Sequence, residues 1–335
     1  MEKLTIALIS GGDSPERQVS LNSGDQVYEA LNKEKYSIQR FDPKTDLAHI
    51  VSGASQIDAA LVILHGPLGE DGTIQGMLDL LDIPYQGSGV LGSALAMDKL
   101  VSKQLYEKNG LRVPSYLVTT KDAPLDPRSC IDVLGLPLVI KPVSGGSSIG
   151  MSIVRSMDDL QEAIEKALEQ DRSALVESYI SGTELTCPVI GNDQLEAYPV
   201  VEIRPGENFE FFDYQAKYTA GATMEICPAE IPEKTAMELQ SISKTAHNVL
   251  NCRGYSRTDA ILSDGQLFII ETNTIPGMTR TSLLPLSAQA AGIDFSSLLD
   301  KLILLGIEDH TKKIHIRDRN RLHRILRAIP ILSEK

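Results

Sequence analysis

Two short apolar runs, each followed by a glycine-containing turn, constrain the fold of this chain more than any other feature. Residues 4–9 are followed by two glycines, residues 59–64 are followed by His65 and a glycine, and residues 17–32 between them have helical spacing. A strand, a glycine turn, a helix and a second strand are typical of a parallel α/β sheet. Because ligands bind at the carboxyl ends of such strands, we expect both turns to face a ligand.

Length, charge and cysteine content limit the classes of protein that fit. The 335 residues predict two or three domains, and 42% hydrophobic with 23% charged residues is ordinary for a soluble globular protein. A net charge of −13 disfavours a broad nucleic-acid-binding surface. The sequence contains no run of 18 apolar residues, so we expect no membrane span. The four cysteines show no C-x-x-C pairing, which indicates free thiols and a cytoplasmic protein.

A glycine- and serine-rich loop at residues 143–150 follows an apolar run that contains Lys141. Backbone N–H groups in such a loop can bind phosphate oxygens, and a nearby lysine would offset their charge. No lysine follows the last glycine, so this is not a G-x-x-x-x-G-K-[ST] loop, and a flexible surface loop is the alternative. Lys99 could also reach a phosphate, or could be an ordinary exposed helix lysine. Glu177 and Glu184 could hold a ribose or an adenine, or could be surface acids.

A hairpin is predicted where the apolar runs 258–263 and 267–273 are separated by Asp-Gly. A three-residue loop, or a bulge, would place Asp259 opposite Glu271. A two-residue loop without a bulge would instead place Asp259 opposite Ile270. We expect the first arrangement, because it brings the two carboxylates together.

The hairpin also carries Asn273, on the same face of its strand as Glu271. Two carboxylates and an amide oxygen are the hard ligands that Mg²⁺ prefers, and Mg²⁺ also takes oxygens from a nucleotide phosphate. The alternative is a solvated strand end with acids there by chance. The apolar neighbours at 268–270 disfavour that alternative, because acids among apolar residues need a reason to be there.

Two segments have no clear place in a compact core. Residues 206–223 show little periodicity and contain several aromatics, which is typical of a lid over a ligand.

Residues 312–335 have eight Lys/Arg and two acidic residues, with helical spacing of apolar residues. This basic tail is predicted to be a terminal helix that packs on its own domain, or a contact to a partner or an anionic surface.

Six motifs occur along the chain in an order that is typical of one family. They are SGGDSPERQVSL at 10–21, HGPLGEDGTIQG at 65–76, MDK at 97–99, GSSIG at 146–150, AKY at 216–218, and ETNTIPGMT at 271–279 with Ser282 and Leu283. Together they resemble the D-alanine–D-alanine ligase family of ATP-grasp enzymes, over about residues 5–300.

The resemblance implies a fold of class α/β, with α+β organisation in the ATP-binding part. A parallel α/β domain would be followed by a two-lobed ATP-grasp fold and the basic tail. The implied limits are 1–97 for the N-terminal domain, 98–184 for the central subdomain, 185–311 for the C-terminal subdomain with lid loop 206–223, and 312–335 for the tail.

The resemblance also implies roles for individual residues. ATP would bind between the two lobes, with its adenosine end near Glu177 and Glu184. Two Mg²⁺ ions, or Mn²⁺ ions in their place, would bind beside the ATP phosphates. The remaining implied roles are phosphate or nucleotide binding for Lys99, Lys141 and Lys217; metal binding for Asp259, Glu271 and Asn273; recognition of the first amino acid by Glu16, Ser147, Tyr218 and His65; oxyanion stabilisation by Arg257 and the N–H of Gly277; and binding of the second carboxylate by Ser282 and Leu283.

The implied activity is ATP-dependent ligation of two D-alanines through an acyl phosphate, by a homodimer. Tyr218 favours an amine acceptor, because relatives that make D-alanyl-D-lactate typically carry histidine at this lid position. A ligase for another pair, such as D-alanine with D-serine, is one alternative. A nucleotide-binding regulator without turnover is another, although the residues expected of an enzyme are all present.

Overall fold

The computed structural model describes residues 3–206 and 223–313, and its first part is the predicted parallel sheet. Three parallel strands lie in the order β2-β1-β3, and the central strand is almost wholly buried because it has a neighbour on each side. Helices cover the faces of this sheet, as short βα connections require. The elements are β1 (Leu4–Ser10), α1 (Arg17–Ala30), β2 (Tyr36–Phe41), α2 (Pro43–Gly53), a 3₁₀ turn (Ala54–Gln56), β3 (Ala59–Ile63), α3 (Thr73–Leu80) and α4 (Val90–Met97).

The second part is a four-stranded antiparallel sheet in the order β4-β7-β5-β6. The apolar side of helix α7 packs on β5 and β7, with Leu160, Ile164 and Leu168 buried at helical spacing. The elements are α5 (Lys99–Lys108), β4 (Tyr116–Thr120), α6 (Pro127–Leu134), β5 (Leu138–Pro142), β6 (Ser152–Val154), α7 (Leu160–Gln170) and β7 (Ser173–Ser178).

The third part is a second antiparallel sheet, in the order β11-β10-β8-β12-β13, with β9 paired to β8. The chain passes from the second sheet to the third in the few residues between β7 and β8. The elements are β8 (Thr183–Gly191), β9 (Glu196–Ala197), β10 (Val201–Pro205), β11 (Thr223–Ile226), α8 (Glu233–Val249), β12 (Gly254–Ser263), β13 (Gln266–Asn273), α9 (Leu283–Ala290) and α10 (Phe295–Lys313).

One apolar core joins the first and third parts. It contains Leu8 and Leu61 from the parallel sheet, Tyr255 from β12, and Leu284 and Leu302 from the last two helices, all fully buried. Burial of each such side chain contributes about 1.5–3 kcal/mol. The N-terminal sheet is therefore held on the C-terminal sheet by shared apolar packing.

Helix α10 contacts the N-terminal part through a glycine. A Cβ atom added at Gly306 would lie 2.4 Å from the backbone oxygen of Tyr85, closer than any side chain can approach. The backbone of α10 therefore packs directly against the segment that follows α3.

The elements agree with the predicted parallel and antiparallel organisation, with small differences at their ends. Helix α5 begins after Asp98, because that side chain accepts a hydrogen bond from the N–H of Val101. Helix α7 begins at Leu160, after a turn in which the N–H of Leu160 donates to the backbone oxygen of Met157. The domain limits themselves stay a prediction. Among the helices in residues 3–206 and 223–313, none is long and apolar enough to cross a membrane.

Candidate active site

The hairpin of β12 and β13 combines a two-residue turn with a bulge. Asp264 and Gly265 both have positive φ, at 49° and 74°, and Ser263 pairs with Gln266, so the predicted three-residue loop is wrong. Asp-Gly favours this tight turn because it tolerates positive φ at both positions. The register then shifts beside Asp259, which is the predicted alternative of a bulge.

The bulge places the two carboxylates opposite each other. Ala260 pairs with Ile269 and Asp259 pairs with Glu271, so Ile270 is the additional residue. The predicted pairing of Asp259 with Glu271 is therefore confirmed, and the bulge is what produces it.

Four hydrogen bonds fix the carboxylate of Asp259. Asn273 donates Nδ2 to Oδ2 at 2.9 Å, and Thr186 on the neighbouring strand donates to Oδ1 at 2.6 Å. Arg257, two residues away on the same face, donates Nε and Nη2 to the two oxygens, each at 2.8 Å. Burial alone would lower the pKa of Arg257, but Asp259 and Glu271 raise it, so the guanidinium stays charged.

Glu271 lies beside a second cation, because the Nζ atom of Lys99 is 3.6 Å from its Oε2. Asp259, Glu271 and Asn273 are thus three oxygen-bearing side chains next to two cations, and this donor set fits Mg²⁺. Within residues 3–206 and 223–313, there is no group of three or more His, Cys, Asp or Glu that could hold a metal. The predicted set is of another kind, with two carboxylates and one amide.

A cleft of about 1010 Å³, measured out to its open mouth, lies between the two antiparallel sheets. Its apolar wall includes Val139 and Ile153 on one side and Ile261 and Ile270 on the other. The predicted nucleotide and metal residues that line it are Lys99, Lys141, Glu177, Glu184, Asp259 and Glu271.

The loop at residues 143–150 covers one side of this cleft. Lys99 donates a hydrogen bond from Nζ to the backbone oxygen of Gly145. Ser147 and Ser148 both have positive φ, at 50° and 57°, a conformation that costs a non-glycine residue roughly 1–3 kcal/mol. Strained backbone of this kind is common at ligand-binding loops.

Glu177 differs from its predicted environment. Its Oε2 lies 3.0 Å from the Nζ atom of Lys141, and its Oε1 lies 3.1 Å from that of Lys103. Burial favours the neutral acid, but the two lysines outweigh it and lower the pKa of Glu177 below its usual value. A role at the adenosine end stays a prediction, because both carboxylate oxygens are paired with cations.

Glu16 and Ser147 meet at the far end of the same loop. Ser147 donates a hydrogen bond from Oγ to Oε1 of Glu16, although the two residues are 131 positions apart in the chain. Glu16 precedes α1, is only 5% exposed, and does not cap that helix with its side chain. A Cβ atom at Gly66 would lie 2.8 Å from Oε2 of Glu16, so the second glycine turn must stay small here.

His65 is buried beside a carboxylate that the sequence reasoning did not select. Its Nδ1 lies 3.8 Å from Oε1 of Glu70, whose Oε2 accepts a hydrogen bond from the N–H of Gly66 at 2.9 Å. Burial lowers the pKa of His65, but Glu70, Glu16 and the backbone of Ile275 raise it by a larger amount. The pKa of His65 is therefore above its usual value. The available signal was that Glu70 lies in the same glycine-rich motif as His65.

The predicted site for the second carboxylate is at the start of α9. Ser282 precedes this helix, and Leu283 is its first residue. The Oγ atom of Ser282 accepts a hydrogen bond from the N–H of Thr279 at 3.0 Å, and lies 3.1 Å from where a Cβ would stand at Gly277. Two predicted residues, Lys217 and Tyr218, lie outside the described part of the chain, as do most of the lid loop and the tail.

Comparisons with known proteins agree with this geometry. Family models described as "D-ala D-ala ligase N-terminus" and "D-ala D-ala ligase C-terminus" match residues 42–88 and 105–304. The D-alanine–D-alanine ligase of Syntrophobacter fumaroxidans is 56% identical over 308 residues, covering 92% of this chain and 99% of the relative. The chain belongs to the D-alanine–D-alanine ligase family.

Solved structures of this family share the fold. The D-alanine–D-alanine ligase of Bacillus anthracis, complexed with ATP, has a TM-score of 0.82 and 37% identity, covering 93% of this chain and 100% of that one. The VanG D-Ala:D-Ser ligase of Enterococcus faecalis has a TM-score of 0.79 and 33% identity, covering 91% and 100%. The predicted ATP-grasp fold is thereby confirmed. The assignment of individual residues to roles stays a prediction.

Proposed function

We propose that this chain joins two D-alanines to D-alanyl-D-alanine with ATP, through an acyl phosphate, for peptidoglycan precursor synthesis. One observation carries the proposal: the loop at 143–150 faces two sites at once. Ser148 lines the cleft that holds Lys99 and Lys141, while the adjacent Ser147 bonds to Glu16. A nucleotide phosphate and an amino acid can therefore meet across one loop.

The first half-reaction is the activation of a carboxylate. A carboxylate is a poor acyl donor, so the γ-phosphoryl group is transferred to it first. Lys99 and Lys141 place positive charge where the phosphates would lie. Mg²⁺ held by Asp259, Glu271 and Asn273 would polarise the phosphoryl oxygens.

Recognition of the first amino acid falls to Glu16. A buried carboxylate at this point would pair with the ammonium group of D-alanine, and Ser147 holds that carboxylate in place. His65 lies on the same side and would carry positive charge toward the substrate carboxylate when protonated.

The second half-reaction is attack by the amine of the second D-alanine on the acyl phosphate, which forms the peptide bond and releases inorganic phosphate. The tetrahedral oxyanion needs fixed donors, and Arg257 is a charged donor held in place by Asp259. The N–H of Gly277 would add a second donor. Ser282 and the N–H of Leu283, at the start of α9, would bind the free carboxylate, since helix N-termini favour anions.

Finer features of the proposal are two Mg²⁺ ions, with Mn²⁺ as a substitute, a homodimer, and a cytoplasmic location. Two ions are supported by the two carboxylates and one amide oxygen of the donor set, because one carboxylate can be enough for each Mg²⁺ beside phosphate oxygens. The location is supported by the cysteines of the described residues, all of which are free thiols.

The test is phosphate release from ATP with Mg²⁺, with and without D-alanine, followed by mass spectrometry of the product. We expect release that depends on D-alanine and a D-alanyl-D-alanine product. A mixed product when D-serine is also supplied would favour the D-alanine–D-serine alternative. No release with any amino acid would refute the proposal in favour of a regulator.

A further inference from the structure

Helix α5 carries two lysines, one turn apart, that lie in different environments. Lys99 lines the cleft between the two antiparallel sheets. Lys103 is fully buried behind the cleft wall and does not line it. Burial of a lysine is unusual unless its charge is paired, so the position of Lys103 requires an explanation.

The partner of Lys103 is Glu177, which stands between two cations. Oε1 of Glu177 lies 3.1 Å from Nζ of Lys103, and Oε2 lies 3.0 Å from Nζ of Lys141. Lys141 and Glu177 line the cleft, whereas Lys103 contacts Glu177 from behind. The three side chains form a row that runs from the protein interior to the nucleotide site.

Charge balance gives this row a function. If Glu177 paired with Lys141 alone, the two charges would cancel at the wall where phosphate must bind. With Lys103 included, two positive charges face one negative charge, and the row keeps a net charge of +1. The excess is available at Lys141, the member that faces the cleft.

The surroundings of Lys103 allow it to carry this charge. Its Nζ lies 5.7 Å from the ring centroid of Tyr116, whose hydroxyl donates to Glu107. Burial and the neighbouring Lys141 lower the pKa of Lys103, while Glu177 and Glu107 raise it, and the result is about 8. Lys103 is therefore mostly protonated at neutral pH.

We propose that Lys103 is a positioning residue that neutralises Glu177 and so leaves the charge of Lys141 for the phosphates of ATP. This inference rests on the proposed function, in that ATP must bind in the cleft. It differs from a structural role, because Lys103 then acts on the phosphates alone and leaves the adenosine part of the site unchanged.

The experiment compares calorimetric titrations with Mg²⁺-ATP, without amino acid, and with adenosine. K103M should weaken ATP binding about tenfold or more, the size expected when one charge-assisted contact is lost. Adenosine, which has no phosphate, should bind within about twofold of the wild type. K108M removes a lysine from an exposed position on the same helix, and should leave both affinities unchanged.

A second variant separates charge from packing. Adding E177Q to K103M removes the carboxylate that would otherwise neutralise Lys141, so ATP affinity should return toward that of E177Q alone. Should K103M fail to fold in a thermal melt, the comparison of K103M/E177Q with E177Q carries the same test, and equal ATP affinities are expected.

The outcomes are distinct. Equal ATP affinity of K103M and the wild type would overturn the inference, and so would a parallel loss of ATP and adenosine binding or a double variant no better than K103M. A wild-type protein that binds no ATP would instead overturn the proposed function.

Discussion

Asp259 lies directly opposite Glu271 even though the turn that joins their strands has only two residues. A regular hairpin with this turn would place Ile270 there. The bulge supplies the missing residue, so that two carboxylates face the cleft together. Bulges are common next to active sites for this reason: they redirect a side chain without changing the turn.

The carboxylate pair leads to a prediction about turnover. Glu271→Gln keeps the size of the side chain but removes its charge, so it should cut the rate of D-alanine-dependent phosphate release by about 100-fold or more. Glu238→Gln, at an exposed position on α8, is the matched control and should be as active as the wild type. An unchanged rate for Glu271→Gln would remove this residue from the metal site.

Substitutions of Ser147 and Ser148, neighbours in the loop at residues 143–150, should have separable effects on the KM values of the two substrates. Ser147→Ala loses the hydrogen bond to Glu16, so the KM for the first D-alanine should rise about tenfold, with little change in the KM for ATP. Ser148→Ala affects a residue that lines the cleft, so it should act mainly on the KM for ATP. Steady-state kinetics with each substrate varied in turn would reveal the two patterns, and the reverse assignment would contradict the geometry.

The histidine at the second glycine turn should show a pH-dependent contribution to stability. Glu70 raises the pKa of His65 above its unfolded value, so the protonated ring stabilises the folded state. This contribution to the free energy of unfolding is fully present below about pH 6.5, the ordinary pKa of histidine. It is lost as the pH rises through the higher pKa that His65 has in the folded protein. The difference in unfolding free energy between the wild type and Glu70→Gln should therefore be larger at pH 6 than at pH 9.

An NMR titration of the histidine ring would test the same point directly. The pKa of His65 should fall in Glu70→Gln, because the main carboxylate beside it has lost its charge. An unchanged pKa of His65 in this variant would show that the charge of Glu70 does not stabilise the protonated ring.

The contact between α10 and the N-terminal part should depend on a single glycine. Gly306→Ala places a methyl group against the backbone oxygen of Tyr85 and should destabilise the protein by about 1–3 kcal/mol in urea unfolding. Gly53→Ala, where nothing lies within 4 Å of the added methyl, should be neutral or stabilise slightly. Equal stability of the two variants would show that α10 can move away from Tyr85 at little cost.

Local patterns in the sequence predicted the elements well. Glycines after apolar runs marked the ends of β1 and β3, and Asp-Gly marked the turn between β12 and β13. These features depend on residues close in the chain. The bulge could be named only as one of two alternatives, because register depends on packing across the whole hairpin.

Long-range electrostatics could not be predicted in the same way. Lys103 and Glu177 are separated by 74 positions, and neither lies in a recognisable pattern with the other. The family resemblance implies a role for Glu177 at the adenosine end, but it gives no sign of the ion pairs that Glu177 makes with Lys103 and Lys141. Only the folded structure brings Nζ of Lys103 within 3.1 Å of Oε1 of Glu177.

The apolar core that joins β1 and β3 with α9 and α10 bears on how the protein is made. Synthesis on the ribosome produces the three parallel strands first, but many of the side chains that cover one of their faces belong to residues 284–307. Until those residues emerge, that face is only partly covered, by side chains such as Val27 and Leu31. A chain truncated before α9 should therefore expose apolar surface of the parallel sheet and aggregate.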